Sequence, residues 1–316
     1  MSSELLNEDD ATVNAIIENL PDVSVREMTQ GAEAFYDDTV SYESIHDVEK
    51  DEQADEQAYW FANRFIYQWQ DFCEIVQYEK RFFKTKQLLD KLFGKPLEYE
   101  GGEVNPVYTL NADEKIFRAR VFDGSFNREV LELNPIRELS SPPRERAKAG
   151  RMNVEYIPAF YGAFSEQTAV AELRPGIGEE IAVGTFTLNR KVKVFDFTVF
   201  SRAASEKWLT NHRHTRYDFI AQMEEEMSKR VLPYEKQRQY IATQIVAEYL
   251  KEYFNCEAII YRSSVATGRS AESRNIVFLP KRNGFIGGDT AILQYQRFDI
   301  REVEEVSYTL SRQPQF

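Results

Sequence analysis

Residues 150–176 read GRMNVEYIPAFYGAFSEQTAVAELRPG, and the rest of the chain is read outward from them. Ile157–Ala163 is apolar, aromatic and small, too short for a helix, and predicts a strand. Alternation puts Ala159, Tyr161 and Ala163 on one face and Phe160 on the other. Ser165 is the expected N-cap of a helix, and Glu166 suits its first turn. That helix spans Glu166–Leu173 and is stopped by Arg174-Pro175-Gly176. Glu172 is the odd residue in it. Thr168, Ala169 and Ala171 surround it with small side chains, while Val170 and Leu173 mark the packed face. A carboxylate so placed reaches a pocket floor rather than bulk water; the competing reading is an ordinary solvated helix Glu.

Composition narrows the function classes. The chain has 316 residues, enough for one large and one small domain. Hydrophobic residues at 42% support a core. No apolar run approaches the length of a membrane span. The start, MSSELLNEDD, is acidic and lacks the basic region of a signal peptide. Cys73 and Cys256 lie far apart, and with three His and no CxxC a structural zinc site is not expected. A reducing, cytoplasmic setting fits best. The net charge of −13 argues against nucleic-acid binding, which needs a basic surface. An anionic ligand would need a local cluster of Arg. So few His also disfavours His-based acid–base chemistry.

Upstream of the central stretch the pattern is helical. Val13, Ile16, Ile17 and Leu20 mark one helix face, ended by Pro21. An acidic run follows, through Glu56. Phe61, Phe65, Trp69, Phe72 and Val76 then recur every three or four residues, an aromatic stripe on a long helix. Leu88, Leu89, Leu92 and Phe93 give another face before Gly94. Residues 1–100 are therefore expected to form a helical accessory domain, with Pro96–Pro106 as the linker. The stripe must be buried within that domain, on the following one, or against a second copy in a homodimer.

After the linker the period changes. Lys115–Phe122 alternates strictly, with Arg118 and Arg120 on one face and Phe117, Ala119 and Val121 on the other. Two arginines on one strand face can present guanidinium groups to one ligand, or they are surface residues on an edge strand. Pro135–Gly150 reads as a loop with a basic run, Arg144–Lys148. Glu180–Leu188 and Lys191–Phe197 read as strands joined by Asn189-Arg190 in a tight hairpin. Residues 202–230 look helical and charged, and Gln237–Phe254 is a clear helix. Ala258–Ser263 is a strand with Ile259, Tyr261 and Ser263 on one face. Asn275–Leu279 is a short buried strand, and Thr290–Leu310 predicts one or two more. The order is α+β: helices first, then a mixed sheet with helices.

The polar residues at the ends of these elements can form one pocket on an apolar frame. Arginine forks suit a diphosphate, and an aromatic ring suits a heterocycle. A lone carboxylate can stabilise an oxocarbenium-like centre as a glycosidic bond breaks. Diphosphate, heterocycle and glycosidic bond together describe NAD, although many diphosphate binders could be argued from the same residues.

Four pieces carry a resemblance: IFRAR (116–120), GRMNVEYIPAFYGAFSEQTAVAEL (150–173), IIYRSS (259–264) and RNIVFL (274–279). In this order and spacing they resemble the RES domain family, named for its Arg, Glu and Ser, across about residues 108–282. The resemblance implies a catalytic domain over residues 101–316 with a fold like that of ADP-ribosyltransferase toxins. It implies a toxin-like, bacterial enzyme that cleaves the nicotinamide–ribose bond of NAD by phosphorolysis or hydrolysis. The alternatives are a mono-ADP-ribosyltransferase acting on a protein and a catalytically silent nucleotide-binding module. NAD would be substrate rather than cofactor, inorganic phosphate a co-substrate, and an antitoxin a partner covering the site.

Carried over by position, Arg118 corresponds to the family's first Arg, Glu172 to its Glu and Ser263 to its Ser. Ser264 is adjacent, and alternation favours Ser263. Arg151 matches the Arg that follows Gly, and Tyr161 the strand aromatic. Arg120 is added because it shares a face with Arg118. In these roles Arg118 and Arg151 hold the diphosphate, Tyr161 packs on the nicotinamide end, Glu172 stabilises the ribosyl cation and Ser263 fixes the ribose or the attacking group. No metal is needed, because nicotinamide is already a cationic leaving group. The helical N-terminal region and a charged insertion around Phe200–Pro233 depart from compact members of the family.

Overall fold

The computed structural model describes residues 64–95, 105–123, 125–199, 215–229, 236–265, 272–279, 285–286 and 291–306. The expected helix around Val13–Leu20, the acidic run, Phe61, most of the linker and much of the insertion lie outside these residues. Among the described residues two helical segments come first. Helix α1 covers 64–74 and widens into π-type turns over Ile75–Glu79; α2 is Thr85–Phe93. Strands β1 (Val107–Leu110) and β2 (Lys115–Val121) follow, then the short helices α3 (Arg128–Leu133) and α4 (Pro135–Leu139). Next come β3 (Phe160–Ala163), α5 (Glu166–Ala171), β4 (Glu180–Leu188) and β5 (Val192–Asp196). Helices α6 (Thr215–Ser228) and α7 (Lys236–Phe254) precede β6 (Ala258–Arg262), β7 (Arg274–Phe278) and β8 (Leu293–Glu302). This is the α+β arrangement expected of the chain.

The eight described strands form one sheet in the order β1-β5-β6-β7-β3-β2-β4-β8. Every pair is antiparallel except β5–β6. A parallel pair needs a long crossover, and α6 and α7 lie in the chain that connects β5 to β6.

The expected hairpin between β4 and β5 does not form. Strand β4 is flanked by β2 and β8, and β5 by β1 and β6, so Asn189-Arg190 carries the chain from one part of the sheet to another. Both strands have their edges filled and their side chains buried on both faces, which removes the alternation a hairpin would show. The expected loop from Pro135 is also corrected at its start. Asn134 caps α4 by accepting from the Arg137 N–H, and Pro135 occupies the first turn, where its missing N–H costs nothing. Thr290–Leu310 contributes one described strand, β8, with a register shift opposite Thr185/Phe186.

Each face of the sheet carries a core. On one, Ile116, Phe160, Phe186, Val194, Ile260 and Phe278 pack with Phe126, Leu131 and Leu139 from the α3–α4 segment. On the other, Phe195, Ile259, Tyr261 and Val277 pack with α1, α2, α6 and α7. The aromatic stripe is part of this second core: Phe65, Trp69 and Phe72 are buried there with Phe219, and Phe93 meets Phe195 edge-on at 5.9 Å between ring centres. Residues 64–93 therefore share a core with the sheet. Among the described residues no helix is long and apolar enough to cross a membrane.

Candidate active site

Helix α5 lies across β2, β3, β4 and β7. Ser165 caps it as its sequence predicts: the hydroxyl accepts from the Thr168 N–H. The helix stops two residues earlier than expected, at Ala171. Glu172 is its C-cap residue, and Arg174 beyond it takes a positive φ of 50°. Strand β3 is shorter too. It begins at Phe160 because Pro158 has no N–H to give a ladder and 154–157 is folded into a turn.

Glu172 is therefore exposed, at the mouth of a cavity rather than on a closed floor. Its Oε1 accepts two hydrogen bonds, from Ser263 Oγ at 2.6 Å and from Asn275 Nδ2 at 2.6 Å. Among the described residues nothing donates to Oε2. Ser263 and Asn275 are buried. The carboxylate is thus clamped through one oxygen, and the other faces the cavity mouth without a donor among the described residues. Asn275 was not singled out from sequence as a functional residue. Its signal was a polar residue opening an apolar strand, at a position that shares a face with Val277. The Tyr261↔Asn275 register pair brings it beside the Ser263 end of β6.

The cavity is about 230 Å³, lined by Phe117, Arg118, Tyr161, Glu172, Tyr261 and Asn275, with small residues between them. It opens where β2 and β3 part. The two strands share a single register pair, Phe117↔Ala163, whereas β2 keeps seven with β4. Gly162 permits even this approach, since a Cβ there would stand 2.6 Å from Ile116 Cγ2. Arg118 occupies the gap: its Nη1 donates to the Tyr161 carbonyl at 2.8 Å, and its guanidinium lies 5.1 Å from the centre of the Phe160 ring. Burial, then the charge of Arg120, push the Arg118 guanidinium down to about 10. It stays charged at neutral pH.

The structure brings Arg118, Tyr161, Glu172 and Ser263 together. Arg120 is placed elsewhere. It pairs with Glu138 at 2.8 Å and lies over Phe126, on the α3–α4 side of the sheet. Ser263, not Ser264, is the serine that donates to Glu172. Arg151 caps the end of α6, donating to the carbonyls of Glu226 at 3.2 Å and Lys229 at 2.6 Å. It lines a neighbouring cavity of about 600 Å³ between α1, α6 and α7. Its charge still acts on the Tyr161 and Tyr261 hydroxyls.

The Gly-Arg-x-Asn sequence has a local logic. Tyr161 Oη donates to Asn153 Oδ1 at 2.7 Å and accepts from the Met152 N–H at 3.0 Å. A Cβ on Gly150 would collide with that hydroxyl. Asn153 Nδ2 reaches the carbonyls of Lys148, Val154 and Ile157, and Gln244 and Thr243 of α7 tie down the carbonyls of Gly150, Asn153 and Arg151. The Tyr161 hydroxyl, its pKa raised by burial, is thus engaged within the protein, and the residue lines the cavity.

A mixed sheet parted at β2/β3, with a clamped carboxylate and a half-buried arginine at the opening, makes a candidate small-ligand site on an α+β frame. A family model of the RES domain matches residues 131–301, more than half of the chain. The chain belongs to the RES domain family, which has an NAD-related, toxin-like role. No curated protein and no solved structure matches it.

Proposed function

We propose that this chain is an NAD-degrading enzyme that breaks the nicotinamide–ribose bond at the Glu172 cavity. The observation that carries the reading is the carboxylate itself: Oε1 held by Ser263 and Asn275, Oε2 unengaged among the described residues. A preorganised negative charge stabilises the cation that develops on the ribose as nicotinamide leaves, with no reorganisation at the moment of reaction. The cavity of about 230 Å³ falls below the roughly 300–1,000 Å³ of sites that enclose a drug-sized ligand. It suits one end of a dinucleotide, the nicotinamide riboside end, with the diphosphate outside. Arg118, at the opening, supplies positive charge for that diphosphate, and Arg151 adds its charge only from the neighbouring cavity. Ser263 keeps the Glu172 carboxylate in place rather than attacking.

The exposed mouth leaves the far side of the ribose open to an acceptor. Water gives hydrolysis and phosphate gives phosphorolysis. A protein side chain in the same place gives ADP-ribosylation. Purified protein incubated with NAD, with and without inorganic phosphate, tests the reading. Nicotinamide release is expected, with ADP-ribose or its 1″-phosphate as the partner product. A protein that leaves NAD intact under both conditions overturns it.

A further inference from the structure

Tyr261 lies in the middle of the sheet, on the face of β6 that also carries Ile259 and Ser263. It is 8% exposed, and what it exposes lines the cavity beside Glu172 and Asn275. Among the described residues, no donor or acceptor meets its hydroxyl. The contrast with Tyr161 is direct, since that hydroxyl has two partners. Gln68 Oε1 is the one side-chain polar atom that is both sealed and unpaired among the described residues. The Tyr261 hydroxyl is therefore not sealed; it opens onto the cavity. A polar group this deep without a partner is costly, and such groups persist where something else completes them.

We propose that the Tyr261 hydroxyl donates a hydrogen bond to a neutral oxygen on the buried end of the ligand. Burial and the Glu172 carboxylate both raise its pKa, so it remains a donor at neutral pH. An anionic acceptor is excluded by the same carboxylate, which would repel it. That leaves a hydroxyl or a carbonyl: a ribose oxygen or the carboxamide of nicotinamide. This assignment rests on the NAD reading above.

Tyr261→Phe removes one oxygen and leaves the ring packing. Initial-rate measurement of KM for NAD and calorimetric titration of ADP-ribose, on the full-length wild-type and Tyr261→Phe proteins with melting curves of both, test the assignment. The KM of the variant for NAD is expected to rise about 2–10-fold, the scale of one neutral hydrogen bond. Its melting temperature should be unchanged or higher, because no protein partner is lost. A raised KM for NAD alone puts the acceptor on nicotinamide; equal weakening of ADP-ribose binding puts it on the ribose. Unchanged values for both ligands overturn the proposal. So does a clear drop in melting temperature, which would mean the hydroxyl serves the fold. If the wild-type protein neither turns over NAD nor binds ADP-ribose, the NAD reading fails by itself, and the melting curves still decide whether the hydroxyl has a partner within the protein.

Discussion

Glu172 owes its geometry to two neighbours from strands about 90 and 100 residues away in the chain. Asn275→Ala should lower kcat for NAD cleavage by roughly 10–100-fold, the scale of a hydrogen bond to a charged group. KM should change little, because the asparagine orients the carboxylate and does not hold the substrate. Steady-state kinetics separate the two; an unchanged kcat would contradict the clamp. Arg118→Lys should raise KM for NAD by about 10-fold or more, since an ammonium cannot both satisfy the Tyr161 carbonyl and fork onto phosphate. An unchanged KM would return Arg118 to a structural role. Glu172 and Ser263 were singled out in the sequence because each stands in a short motif, at the end of an element, that resembles the family's, and the structure sets the two in contact. Asn275 and Tyr261 were not, because their roles arise from cross-strand register, which no local pattern records.

At the scale of elements, the longer helices and most strands followed from period and caps, while α3 went unread and α4 fell within the expected loop. Ser165 before α5 and the strict alternation of β2 are the clearest cases. What the sequence hid was pairing. Asn189-Arg190 has the look of a hairpin turn, yet β4 and β5 go to different neighbours, because strand partners depend on which edges are still open. The role of Arg151 was hidden for a similar reason. Its partners are the carbonyls at the end of α6, more than 70 residues downstream. Those carbonyls lack intrahelical donors, and a cation there also suits the helix dipole. Arg151→Ala should therefore cost about 1.5–3 kcal/mol of unfolding stability, whatever it does to NAD affinity. Denaturant unfolding reads this as a lower midpoint with an unchanged slope. A midpoint equal to that of the wild type would show that the α6 contacts contribute nothing.

For the whole molecule, the helices before β1 complete one face of the sheet. Phe72, Leu92 and Phe93 are fully or almost fully buried, in a core that also holds Phe195 and Phe254. A chain beginning at residue 101 loses those side chains and bares the sheet beneath them. It should aggregate or melt far below the full-length protein, while a chain beginning at Tyr59, where the larger compact unit starts, should stay monomeric and folded. Size-exclusion chromatography with melting curves distinguishes them; a soluble, stable 101–316 fragment would contradict the shared core. The central claim is that a clamped carboxylate at the parting of β2 and β3 cleaves NAD. Nicotinamide release by Glu172→Gln against wild type tests it most directly. The amide keeps the size, and its oxygen can accept from Ser263 and Asn275, but the charge is gone. The account predicts a folded protein whose turnover falls by about 10²–10³-fold. A glutamine variant that releases nicotinamide at the wild-type rate would contradict it.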